Sequence, residues 1–234
     1  MSSPQEVLAI CVNWNGQEVL ADALDSLLKS RGVQLSVVVV DNASTDNSLE
    51  LVPPGIEVEK REKNEGYAAA INSVVRPYYA NPRTPGATPP TYFLLLNNDV
   101  VFEPNSVQRL VEFADRKGPG VFGPRIVRHD RPDHLEMAWG DLTWSHVLAH
   151  YRGEEEKVGP RWNRDAPVSL LLGSVLLIHR SVFEKIGFFD ETFFMYHEEV
   201  DFLYRARLAG IDAYFCNNSQ VRHRGGHGTR QTPW

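Results

Sequence analysis

Two short, almost uninterrupted apolar runs constrain this chain more than any other feature: Val7 to Val12, and Leu35 to Val40, which ends in four consecutive valines. Runs without polar alternation suit strands covered on both faces, as in a parallel sheet flanked by helices. Between them Leu20, Ala23, Leu24, Leu27 and Leu28 recur at the i, i+3, i+4, i+7, i+8 spacing of an amphipathic helix. Strand, helix and strand in this order make a βαβ unit, so the expected fold class is α/β.

The same alternation continues. Ser44 to Asn47 supply turn and cap chemistry after the second run, and a short helix through Leu49 and Leu51 is expected to stop at Pro53 and Pro54. Tyr67 to Val75 reads as a further helix, and Tyr92 to Leu96 as a buried strand. Residues 77–91 hold five prolines and a glycine, which predicts a loop insert without regular structure. Pro104 suits the first turn of a helix whose Val107, Leu110, Val111 and Ala114 share one face. From Gly118 to Arg164 no element is assignable. Leu170 to His179 then predicts a strand, and Ser181 to Glu184 a capping box opening a helix that Gly187 ends. A last helix is expected from near Tyr196 to Gly210, with Val200, Leu203, Tyr204 and Leu208 as its buried stripe, followed by strands at Ile211 to Phe215 and Gln220 to Arg224.

At 234 residues the chain suits one large domain, taken here as 1–234. Its 24 Lys and Arg against 30 Asp and Glu give a net charge of −6, which argues against wrapping nucleic acid. Cys11 and Cys216 are too few for a disulfide scaffold, and a cytoplasmic setting is the expectation. The longest apolar stretch, Leu170 to Ile178, falls short of the ~20 residues of a membrane span, which leaves peripheral contact as the form of any membrane association.

Three polar groupings could carry chemistry. Asp41 closes the valine strand, where a carboxylate can bond a ribose or base edge; a turn-forming role is the equal alternative. Asn13-Trp14-Asn15-Gly16 stands where a nicotinamide enzyme would have G-x-G-x-x-G, which argues against that class. Asn97, Asn98 and Asp99 close the Tyr92 strand and offer oxygen ligands of the kind Mg²⁺ or Mn²⁺ accepts, or alternatively a capping loop before Pro104. His223 near the last strand could reach the same metal. Glu198, Glu199 and Asp201 open the last helix, where they complement its dipole. Crowded beside Phe193 to Tyr196, one of them is also a candidate general base, since like charge and burial raise a carboxylate pKa.

Taken together, strand–Asp41, strand–NND, GSVLLIHR at 173–180, FFMYHEEVDF at 193–202 and VRHRGG at 221–226 resemble the family 2 glycosyltransferases of the GT-A fold, in their rhamnosyltransferase-like branch. The resemblance implies a Rossmann-like, mostly parallel central sheet flanked by helices, with a nucleotide-sugar half (1–117) and an acceptor and catalytic half (118–234). It implies that Asn13, Asn15, Asp41, Asn64, Gly66, Asn72, Asn97 and Asn98 serve the nucleotide-sugar, and that Asp99 and His223 hold Mg²⁺ or Mn²⁺. Glu199 becomes the base, with Glu198 beside it and Gly173, Ser174 and Asp201 on the acceptor side. The family pair is usually Glu-Asp, so Glu199 is one methylene longer than the pattern. The implied reaction is inverting transfer from dTDP-rhamnose or a UDP-sugar to a glycan or lipid-linked acceptor at the inner face of the membrane. Nucleotidyl transfer, and an idle nucleotide-binding or scaffold domain, are the alternatives.

Overall fold

The computed structural model describes residues 5–80, 89–143 and 148–225. In chain order its first half runs β1 (Glu6–Asn13), α1 (Leu20–Leu28), β2 (Gln34–Asp41), β3 (Glu57–Lys60), α2 (Tyr67–Val75), α3 (Pro77–Ala80), β4 (Tyr92–Asn97), β5 (Val100–Phe102) and α4 (Ser106–Lys117). The second half adds β6 (Val121–Arg128), β7 (Leu135–Met137), β8 (Trp139–Thr143), β9 (Leu148–Arg152), β10 (Ala166–Val168), β11 (Val175–His179), α5 (Arg180–Ile186), α6 (Glu198–Leu208) and β12 (Ala213–His223). Ten of these strands form one sheet along the path β10-β12-β6-β11-β4-β1-β2-β3, with β5 on β12 and β7 on β6; β8 and β9 form a separate hairpin.

The continuous apolar runs are explained by what covers each face. Along β1, Val7, Ala9 and Cys11 point into one core with Leu20 and Leu24 of α1 and Leu110 of α4. Leu8, Ile10 and Val12 point into the other, with Ala68 and Ile71 of α2, Phe183 of α5 and Phe202 of α6. A strand between two such layers has no solvent face left for polar residues. The α5–α6 layer is tied by aromatic packing: Phe189 stacks on Phe202 at 4.3 Å, and Phe183 lies 5.4 Å from both Phe93 and Phe202. Contacts of this kind add ~0.5–1.5 kcal/mol each beyond burial.

Register places the polar strand ends side by side. β1 runs parallel to β2 with Asn13 opposite Asp41, and parallel to β4 with Val12 opposite Asn97. β11 is antiparallel to β4, so Ser174 precedes the Val175–Leu96 pair and its carbonyl accepts from Asn97 N–H at 3.0 Å. β12 meets β5 with His223 opposite Val100, beside Asp99. The sheet is thus parallel from β4 to β3 and mixed beyond β4, more antiparallel in its second half than the expected mostly parallel order.

Several expectations are corrected. Pro77–Ala80 forms one helical turn, since proline fits the start of a helix; residues 81–88 of the proline-rich insert lie outside the described residues. Pro104 precedes α4, whose N-cap is Asn105. The Leu170 run is a strand from Val175 alone. The cap of α5 is the side chain of His179, which accepts from Ser181 N–H, in place of the expected box. The stripe of α6 is Phe202, Leu203 and Ala206, and Leu208 is exposed. The two closing strands are a single β12 with an irregularity between Cys216 and Gln220. Both cysteines are free and buried, and no helix among the described residues is long and apolar enough to cross a membrane.

Candidate active site

A cavity of about 290 Å³ opens where the strand ends meet α6. Its lining includes Asn64, Gly66, Asn97, Asn98, Asp99, Gly173, Ser174, Glu198, Glu199 and His223 from the residues singled out in the sequence. Asp99 and the glutamate pair, far apart in the chain, therefore share one cavity.

Behind the strand-end wall lies a hydrogen-bonded frame. Asn13 is fully buried: its amide donates to Asp41 Oδ1 (3.0 Å) and Ser48 Oγ (2.9 Å), and its Oδ1 accepts from Asn98 Nδ2 (2.8 Å). Asp41, also buried, accepts the Ser44 hydroxyl at 2.6 Å. Asn15, at φ 49°, accepts from Thr45 N–H at 2.8 Å. The structure thus sets Asn13, Asn15 and Asp41 outside the cavity lining, as supports of the turn that carries Trp14 and Asn42 into it. Asn72 is farther still: its amide donates to Phe189 O and Glu191 Oε1, both at 2.8 Å, tying α2 to the segment before α6. Asp201 likewise bonds Arg205 (2.8 Å), which reaches the carbonyls of Ile186 and Phe188. Neither Asn72 nor Asp201 lines the cavity.

On the cavity lining His223 Nε2 lies 3.0 Å from Asp99 Oδ1, and its Nδ1 donates to Glu136 Oε2 at 2.6 Å. Burial of the imidazole opposes protonation, but the hydrogen bonds and charges of Asp99 and Glu136 outweigh it and hold the pKa at about 10. Two carboxylates around one imidazole leave an excess of negative charge. A carboxylate on Nδ1 also orients Nε2 toward the cavity, an arrangement common behind metal-binding histidines. The donor set of Asp99 oxygen and His223 nitrogen suits a divalent cation that keeps waters or phosphates as its remaining ligands.

The same lining takes in the start of α6, Glu198 and Glu199. Glu198 is buried and its Oε2 has no hydrogen-bond partner among the described residues; the same holds for Ser174 Oγ and Asn42 Oδ1, all on the lining. Three buried polar atoms without partners on one cavity lining are what a site awaiting a polar ligand presents. Burial, then the charge of Glu199, pushes Glu198 up to about 7. Burial also raises Glu199, against which backbone N–H groups and His197 act. The Glu199 side chain rests on Gly173, where a Cβ would stand 3.3 Å from its Cγ, and Tyr67 Oη fixes Gly173 by donating to its carbonyl at 3.2 Å. Gly66, at φ 92°, lets the Phe194 carbonyl approach so closely that a Cβ there would lie 2.2 Å from it; Tyr67 N–H donates to that carbonyl at 3.0 Å.

Sequence reasoning missed Trp14, Asn42, Tyr67, Glu136, Leu172 and Phe194 to Tyr196, which also line the cavity. Glu136 lies in the stretch without assignable elements and carries no local signal. Phe194 to Tyr196 were visible only as apolar neighbours of the acids.

Comparison with known proteins agrees with this architecture. The protein-family model described as Glycosyl transferase family 2 matches residues 9–202. The chain is 28% identical over 246 residues to an N-acetylglucosaminyl-diphospho-decaprenol L-rhamnosyltransferase of Mycobacterium tuberculosis, covering 96% of this chain and 78% of that protein. It is 27% identical over 217 residues to the low-salt glycan biosynthesis hexosyltransferase Agl10 of Haloferax volcanii, covering 92% of this chain and 66% of the relative. Among solved structures, GalNAc-T7 with UDP, GalNAc and Mn2+ superposes with a TM-score of 0.73 at 17% identity, over 95% of this chain and 44% of that one. Staphylococcus aureus TarS 1-349 in complex with UDP gives 0.63 at 16%, over 92% and 59%. The last two share the fold, which is of the GT-A type. The match across residues 9–202 places this chain in glycosyl transferase family 2.

Proposed function

We propose that the chain is an inverting, divalent-metal-dependent glycosyltransferase that moves a sugar from a nucleotide diphosphate-sugar to a hydroxyl of a glycan or lipid-linked acceptor. The observation that carries this reading is the shared cavity, whose lining includes both the Asp99–His223–Glu136 array and the Glu198–Glu199 pair. dTDP-rhamnose is the first donor to test and UDP-sugars the second, because the relatives include a rhamnosyltransferase and the fold neighbours were crystallised with UDP. A lipid-linked acceptor fits the mycobacterial relative, an N-acetylglucosaminyl-diphospho-decaprenol L-rhamnosyltransferase, and peripheral contact at the inner membrane face would bring the chain to it.

Residues 1–117 supply the donor side of this reading, with Asn64, Gly66, Asn97 and Asn98 against the nucleotide-sugar and Asn13, Asn15 and Asp41 shaping the turn beneath it. Residues 118–234 supply Gly173, Ser174 and the glutamates. Asp99 and His223 would hold Mg²⁺ or Mn²⁺, which as a Lewis acid neutralises charge on the departing diphosphate. The chain's own contribution is proton transfer and placement. A hydroxyl approaching the anomeric carbon from the side opposite the diphosphate must lose its proton, and Glu199 accepts it. Burial raises both glutamates, Glu198 to about 7, and the backbone N–H groups and His197 that oppose the rise at Glu199 favour its charged, proton-accepting form. Fixing both substrates in one cavity lowers the barrier by ~7–11 kcal/mol when geometry is productive.

Calorimetric titration with UDP, dTDP and GDP, with and without Mn²⁺, combined with transfer assays of Glu199→Gln, tests this. Metal-dependent binding of one diphosphate by both proteins, with transfer by the wild type alone, is expected. Absence of diphosphate binding in every condition, or equal turnover by the variant, overturns the reading.

A further inference from the structure

A second cavity, of about 410 Å³, opens between α1, β5 and the end of β12, and the transfer described above gives it no role. Its charged lining is Asp22, Asp25, Lys29, His129, Arg222 and Arg224. Successive side chains of a strand leave on opposite faces, so His223 lines the first cavity while Arg222 and Arg224 line the second. Backbone bonds join the two walls: Arg224 N–H donates to Asp99 O at 3.1 Å, and His129 N–H to His223 O at 2.9 Å.

Both acids of this second cavity are already paired. Asp25 meets Lys29 at 2.6 Å, and Asp22 meets Arg224, whose Nη1 also donates to Glu18 O at 3.3 Å. Arg222 is different: it is partly buried, and its guanidinium makes neither an ion pair nor a hydrogen bond among the described residues. Three cations against two carboxylates therefore leave one positive charge uncompensated on the lining. Arg224 Nε and His129 Nδ1 are also buried without a hydrogen-bond partner among the described residues, a condition rare in folded proteins. Burial, then Arg224 and Arg222, hold the His129 imidazole below its usual pKa against Asp22 and Asp130, so positive charge prevails at this wall.

We propose that this cavity binds the phosphoryl group of a phosphate monoester, held by the Arg222 guanidinium with Arg224 and His129 beside it. A guanidinium meets two phosphate oxygens with its planar fork, and a monoester has a third oxygen left for the neighbouring donors, which a carboxylate lacks. Its charge of about −1.5 to −2 also draws more from the unpaired cation than a single negative charge does. Val101, Phe102 and Pro104 supply an apolar wall for the organic part of the ester, and the volume lies within the ~300–1,000 Å³ of small-molecule sites. A lipid headgroup and a free phosphate compound offer this same chemistry.

The test is titration of the full chain, without added metal, with inorganic phosphate, glycerol 3-phosphate and acetate, followed by ¹H–¹⁵N NMR of arginine Nε–H and backbone amide groups. Both phosphates are expected to shift the Arg222 and Arg224 signals saturably, with a Kd of about 1 mM or tighter, and acetate to bind at least about tenfold more weakly. Arg222→Gln should weaken both phosphates at least about tenfold, with Tm within about 2 °C of wild type because the guanidinium has no partner to lose. Lys63→Gln, at an exposed lysine paired with Glu65 outside this lining, should leave binding unchanged. Flotation with phosphatidylcholine vesicles, with and without phosphatidic acid, separates the two sources. Capture by phosphatidic acid that Arg222→Gln abolishes assigns the site to a headgroup; Arg222-dependent phosphate binding without capture assigns it to a free monoester. No saturable shift at about 10 mM phosphate, acetate bound as tightly, or equal binding by Arg222→Gln overturns the site. Because the titration uses no metal and reads Arg222, its failure leaves transfer at Glu199 untouched, and loss of transfer would leave this site standing.

Discussion

Gly66→Ala is the substitution for which the structure gives the largest consequence away from any charged group. Gly66 sits at φ 92° and ψ 175°, a region of backbone space open essentially to glycine, and occupying it with alanine costs ~1–3 kcal/mol. The new Cβ would also stand 2.2 Å from the Phe194 carbonyl oxygen, a backbone atom with no rotamer through which to retreat. Relief requires the Phe194 segment to move, which breaks the Tyr67 N–H bond to that carbonyl and adds ~1–2 kcal/mol. The sum is ~2–5 kcal/mol. At roughly 2–4 °C per kcal/mol for a domain of this size, Tm should fall by about 4–20 °C. Because Phe194 leads directly into Glu198 and Glu199, diphosphate binding by the surviving folded protein should be retained better than transfer. Thermal unfolding followed by circular dichroism, with transfer assayed well below Tm, measures both. A Tm within about 2 °C of wild type would show that the Gly66–Phe194 contact does not hold this segment in place.

Three further outcomes follow from the site. Gly173→Ala would set a Cβ 3.3–3.4 Å from three side-chain atoms of Glu199 and push the carboxylate aside by a few tenths of an ångström; kcat should drop several-fold, on the scale of ~10²-fold per ångström of misplacement, with Tm nearly unchanged. Glu136→Gln removes the carboxylate behind His223 and should weaken Mn²⁺ binding ~10–100-fold, read by electron paramagnetic resonance of free Mn²⁺. Glu198 has a folded pKa of about 7 against an ordinary 4.5, so the fold favours its neutral form. Its ionisation therefore costs nothing below about 4.5, costs progressively more as pH rises, and costs its full amount above about 7. Glu198→Gln removes that penalty and should gain stability over wild type between pH 4 and pH 8, by on the order of 3 kcal/mol at most, in urea unfolding at the two pH values.

How far the chain could be read without coordinates depended on the range of the forces involved. The βαβ start was legible because Val7–Val12 and Val37–Val40 are apolar on both faces, and burial between two helical layers demands that. Asp99 and the Glu198–Glu199 pair were legible as residue types in a recognisable order. What escaped was the part fixed by tertiary contact. The Gly118–Arg164 stretch holds four strands, two of them in the hairpin β8–β9 set apart from the main sheet, and their pairing leaves little period in the sequence. Glu136 acquires meaning only when β7 brings it to His223. Asn72 looked like a cavity residue and is a buried brace on Phe189, a distinction made by a contact 117 positions away in the chain. The stripe of α6 was misplaced toward Leu208 because Phe189 and Phe183 select Phe202 as the buried face.

The central claim is that a diphosphate and a metal bind at Asp99 and His223 in this cavity, with the sugar between them and Glu199. Anomalous diffraction at the manganese edge, from crystals of Glu199→Gln grown with Mn²⁺ and the diphosphate-sugar that binds, tests it most directly. The account predicts one manganese peak bonded to Asp99 and His223 and to diphosphate oxygens, with the anomeric carbon exposed toward position 199. A manganese peak elsewhere, or a diphosphate seated outside this cavity, would contradict it.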